Sequence, residues 1–184
     1  MGDFGWHFTN DKLRDGSPIP PVGKWISVKG PLKLCAHGLH FSKQPFDALQ
    51  YAPGPLLHRV EVRGEILHDK DKGCASERRI VQSMDATELL RYFARMQALS
   101  VVHLWDAPEV VLDYLMTGDE AIRAAAWDAA RAASDAAWAA RDAAWGAASD
   151  AASDAASDAA SDAARAARDA ARSDFNALVE ECFS

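Results

Sequence analysis

Two stretches of this sequence combine residue types and spacing that could do chemistry. The first is Cys35-Ala36-His37-Gly38-Leu39-His40, a short run of possible metal ligands. Side chains alternate along a strand, so Cys35 and His37 would share a face while His40 points away. A structural zinc takes four ligands. No fourth is suggested here, so no metal site is expected. His58, His68 and His103 stand apart. Nothing matches a phosphate-cradling Gly-rich loop, a nucleophile elbow or a dinucleotide fingerprint.

The second stretch lies towards the C-terminus. On a helix turning about 100° per residue, Trp127, Trp138 and Trp145 fall within about 20° of one another. Asp150, Asp154, Asp158 and Asp162 recur every fourth residue, on an arc roughly opposite the tryptophans. Four helical residues rise about 6 Å, close to the spacing of successive phosphates on a nucleic-acid strand. The Trp stripe is suited to docking on the rest of the chain, on a second copy or on a partner. The Asp ladder is suited to solvation, or to occupying a basic groove that normally holds nucleic acid.

The elements that must carry these residues follow from composition. The chain has 184 residues and a net charge of −7. Residues 1–118 hold 14 acidic and 14 basic groups, whereas residues 119–184 hold 13 acidic groups and 6 Arg. The whole charge excess therefore sits in the last third, which also contains 29 Ala and no Pro. This step places a domain boundary near Thr117-Gly118-Asp119, giving a head at 1–118 and a tail at 119–184. The overall acidity argues against direct nucleic-acid binding. No apolar run is long enough for a transmembrane helix, and Met1–Asn10 lacks the pattern of a secretory signal. Three cysteines without CxxC spacing fit a reducing cytoplasm.

The expected fold class is α+β: a small mixed-sheet head followed by a long Ala-rich helix or helical hairpin. Residues 5–9, 24–28, 32–35, 39–42, 57–67 and 78–81 read as strands. In 57–67, Val60, Val62 and Ile66 share one face, with Arg59, Glu61, Arg63 and Glu65 on the other. Residues 45–51 read as a short helix. Asp85-x-x-Glu88 and Asp106-x-x-Glu109 resemble capping boxes that open two further helices, and Gly118 suits the position just past a helix end. The motif Ala-Ala-Ser-Asp predicts helix from about 120 to about 172, with Gly146 its weak point. The head contains every strand candidate and is expected to fold alone.

Gly38-Leu39-His40-Phe41-Ser42, followed by Ala48 and Tyr51, resembles the ADP-ribosyltransferase fold of the poly(ADP-ribose) polymerase kind. Trp6-His7-Phe8-Thr9, Val60–Glu65 and Ser76–Val81 resemble further strands of that family, so the resemblance spans about residues 5–82. It implies NAD as cofactor, bound by His7, His40 and Tyr51, with Tyr51 stacking on nicotinamide and Glu77 as the catalytic carboxylate. His40 stands where the family has a strand Tyr, and His7 is not followed by Gly. The head also resembles a family of uncharacterised phage and bacterial proteins in which a "Gly-Leu-His-Phe … Tyr … Gly-Glu-Ile" domain precedes a repetitive tail. The matching residues are Gly38–Phe41, Tyr51 and Gly64–Ile66. That resemblance implies a mobile-element origin and no particular activity.

Two functions are therefore expected as alternatives. One is a non-enzymatic, cofactor-free interaction protein with no membrane partner. Its acidic helix would self-associate into a homo-oligomer or block a host nucleic-acid-binding protein, as an anti-defence inhibitor would. The other is an NAD-dependent mono-ADP-ribosyltransferase.

Overall fold

The computed structural model describes residues 2–145 and 153–184, with side chains described at 2–139 and 163–184. The chain runs β1 (Asp3–Thr9), β2 (Ile26–Ser27), β3 (Leu39–Phe41), α1 (Pro45–Leu49), β4 (Leu56–His68), β5 (Gly73–Asp85), α2 (Thr87–Ser100), a 3-10 turn at Val102–Leu104, α3 (Glu109–Thr117), α4 (Arg123–Trp145) and α5 (Ser153–Cys182). It is an α+β chain with an antiparallel sheet and a C-terminal helix. Contacts divide it into two compact units, Met1–Leu90 with Arg172–Ser184, and Arg91–Ala171. The step in composition at Thr117-Gly118-Asp119 falls inside the second unit.

In the first unit the strand order is β1-β4-β5-β2, with β3 also paired to β5. The sheet curls until its ends meet: Trp6 N–H donates to Ser42 O at 2.8 Å and Ser42 N–H to Trp6 O at 2.9 Å. Strand alternation sorts the side chains. Val60, Val62 and Ile80 lie on one face and join Phe41 and Ala75 in a buried cluster, with Ile19 and Ile66 against it. This is the apolar face read from residues 57–67. Trp6, Phe8 and Leu57 lie on the other face and are equally buried. They are covered by α1 and the end of α5, where Phe183 meets the Trp6 ring edge-on at 4.9 Å and Phe175 meets Phe46 of α1 at 6.0 Å. Arg172 donates to the buried Asp47 carboxylate at 2.6 Å, and Asn176 Oδ1 accepts from Phe46 N–H at 2.8 Å. Residues 1–118 are thus not the whole of this unit.

Two local expectations change. Residues 32–35 form no strand. Cys35 has φ 63°, and Lys33 bridges His37 across a tight turn. The alternation that put Cys35 and His37 on one face therefore does not apply. The last strand is far longer than 78–81, because β5 pairs with β4 over its whole length. Gly64, at φ 80°, stands where the β4–β5 register shifts between Arg63 and Ile66. A residue with a Cβ is strained in that left-handed conformation.

In the second unit α3 ends on Gly118, whose left-handed φ of 69° lets its N–H reach Tyr114 O at 2.8 Å. That is the role expected of it. The start of α3 differs: Pro108 is its N-cap, with no side-chain cap bond. Asp85, by contrast, accepts from Thr87 N–H at 2.9 Å and from its hydroxyl at 2.6 Å just ahead of α2. Helix α3 packs against α4, with Val111 and Ala126 as their buried residues. The expected tail helix is represented by α4 and by α5, which continues past Arg172 to Cys182. Gly146 lies outside the described residues.

Candidate functional site

A set of buried and half-buried polar groups of the first unit, called the polar face below, shares the sheet face of the apolar cluster. His7 of β1 lies opposite His58 of β4, which lies opposite Ser83 of β5. His58 is buried, and both its ring nitrogens are engaged, Nε2 with Thr9 Oγ1 at 2.8 Å and Nδ1 with Ser83 Oγ at 2.6 Å. Burial, then the charge of Arg78, pulls its pKa down to about 4, so it is neutral at pH 7. Arg78 is opposite Val62 and only 4% exposed. Its Nη1 donates to His40 O of β3. No carboxylate pairs with it among the described residues. Burial lowers its pKa to about 10, which leaves it charged at pH 7. His7, half-buried, has no hydrogen bond to its ring among the described residues. Burial and the charge of Arg78, with smaller effects of His58 and His40, hold it well below the usual imidazole range.

The other residues marked by the sequence are not gathered there. Glu77 is next to Arg78, so it points to the opposite face of β5. There it accepts from Arg63 Nε and Nη2, both at 2.8 Å, and Arg63 stacks on Trp25 at 3.9 Å. A parallel pair, Arg79 to Glu61 at 2.7 Å, lies beside it, with Arg79 also over Trp25. Tyr51, in the loop between α1 and β4, is exposed and reaches the β4–β5 turn, donating to Asp71 Oδ2 at 2.6 Å with Lys72 over its ring at 5.2 Å. His40 Nε2 accepts from Cys35 N–H at 3.0 Å. Cys35, Cys74 and Cys182 are free thiols. Among the described residues no group of three or more His, Cys, Asp or Glu is placed to hold a metal ion. His7 and Glu77 thus lie on opposite faces of the sheet, and Tyr51 belongs to a separate surface cluster.

In the second unit the first two tryptophans of the stripe are exposed. Trp127 is 73% exposed and Trp138 58%, because α4 turns Ala126 towards α3 instead. Glu120, Arg123, Ala124, Trp127 and Asp128 line an open hollow. The side chains of Trp145, Asp154, Asp158 and Asp162, and the whole of Asp150, lie outside the described residues.

Residues 4–92 match the model of a family described as "Domain of unknown function (DUF7666)". The match covers the sheet and the start of α2, including every residue of the polar face. No curated protein and no solved structure matches the chain. Among the described residues no helix is long and apolar enough to cross a membrane.

Sequence reasoning passed over Arg78, although a signal for it existed. If Ile80 points into the core, strand alternation sends Arg78 the same way. The motif around Glu77 marks that neighbour instead. The partners of His58 lie far away in sequence, so no local pattern reveals them.

Proposed function

We propose that the chain is an interaction protein that self-associates through the Trp face of α4. The observation that carries this is Trp127, 73% exposed on a helix held to α3 by the neighbouring Ala126. An indole in water forgoes a large apolar contact, and Trp is enriched at the centres of interfaces. A second copy is the occupant that charge favours. Helix α4 carries Arg123, Arg131 and Arg141 against Asp128, Asp135 and Asp142, so two copies meet without net repulsion. Its many Ala side chains let two backbones approach closely.

Size-exclusion chromatography with light scattering tests the reading. The full chain is expected to show an oligomer that Trp127→Ala with Trp138→Ala converts to monomer. Helicity should be retained, because Ala is the better helix former. A full chain that is monomeric at about 100 µM, or a double variant that keeps the oligomer, would overturn it. Micromolar affinity is the weak end of specific association. The transferase alternative rests on sequence motifs. No observation favours it, with Glu77 held by Arg63 and His7 on the other face of the sheet.

A further inference from the structure

We infer that the polar face of the sheet is a binding site for a phosphate-type oxyanion, held by Arg78 and His7. Three observations converge. Arg78 is 4% exposed, and among the described residues its one hydrogen bond goes to a backbone carbonyl, His40 O. A guanidinium carries five N–H donors, so the rest of its fork meets no protein acceptor among the described residues. No carboxylate neutralises it among the described residues, and a buried charge without a counter-charge is costly. The nearby His7 ring also has no partner among the described residues, on the same face and opposite His58. His58 cannot take the ligand directly, because Thr9 and Ser83 occupy both of its nitrogens.

An oxyanion supplies what the site lacks: a negative charge for the guanidinium and oxygens for both its N–H groups and an imidazole N–H. Arg–phosphate pairs form in this forked way. The groups facing His7 are Arg78 from β5, His58 from β4 and His40 from β3. All three disfavour its protonation. A dianion would reverse that balance, so binding should draw a proton onto His7.

Sulfate is the probe, because it stays a dianion from pH 5 to 8. The full chain is titrated with sodium sulfate at constant ionic strength made up with chloride, and the imidazole resonances are followed by NMR. His7 should shift saturably, with His103 of the second unit as the reference resonance. Affinity should rise as pH falls from 8 to 6, approaching about tenfold per pH unit for one linked proton. Arg78→Met should abolish the response. If that variant does not fold, the wild-type titration decides alone. A His7 resonance unmoved by sulfate, or moved equally in folded Arg78→Met, would overturn the inference. A parallel titration with AMP identifies the source of the oxyanion. Tighter binding than sulfate points to a nucleotide phosphate, and equal or weaker binding to a free ion.

Discussion

His58 shows how one side chain can set the acid sensitivity of a sheet. Its imidazole titrates near 6.5 in an unfolded chain and at about 4 in the folded one. Between those values the unfolded state binds a proton that the folded state does not. The associated stability is therefore complete above pH 6.5 and is lost as pH falls towards 4. A displacement of this size corresponds to about 3 kcal/mol, and His7 acts in the same direction. His58→Gln, which can still bridge Thr9 and Ser83 but does not titrate, should flatten the decline in melting temperature between pH 6.5 and 4.5. A variant with the wild-type slope would move the acid sensitivity to other groups. Little of this residue-level picture was legible in the sequence. Thr9, His58 and Ser83 meet only because β1, β4 and β5 pair in one register, and that register is a property of the closed sheet.

The elements were more legible than their partners. The alternation of Val60, Val62 and Ile66 identified β4 and its inward face, and Gly118 marked the end of α3. Residues 32–35 alternate like a strand but turn back on themselves at Cys35. Much of β5 was missed because Gly73, Ser76 and Glu77 are poor strand formers; pairing with β4 overrides their preference. The end of α5 carried a plain signal in Phe175, Val179 and Phe183, four residues apart and all buried. That spacing makes an apolar helix stripe, and it covers the Trp6–Phe8–Leu57 face. Phe175→Ala should therefore cost about 3–5 kcal/mol of unfolding free energy, the range for a buried aromatic. The cost should be measurable by urea denaturation with tryptophan fluorescence. A change below 1 kcal/mol, a figure well under that range, would mean the helix end only rests on the sheet. On the same reasoning, a fragment of residues 1–118 exposes this face, and its stability should rise when residues 172–184 are restored.

At the scale of the whole molecule the dominant fact is the uneven charge. Residues 1–118 are neutral, and the entire net −7 comes from residues 119–184. Within that part, 146–164 contain Asp150, Asp154, Asp158 and Asp162 and no basic residue, unlike the charge-balanced α4. The self-association proposed for α4 does not draw on these four Asp, and attraction to them would require a basic partner. Attraction of that kind weakens with salt, because the screening length falls from about 10 Å at 0.1 M to about 3 Å at 1 M. Replacing the four Asp by Asn should slow association with a basic partner while helicity persists, since Asn and Asp have similar helix propensity. The check is capture from a cell lysate over a salt series, with the wild type and the four-Asn variant side by side. Loss of a partner from the variant at low salt, and from the wild type at high salt, would mark the acidic run as the contact. Equal recovery by both chains across the series would leave the run with solvation as its role. Specificity would then rest with the Trp face, whose helix α4 carries three Arg against three Asp.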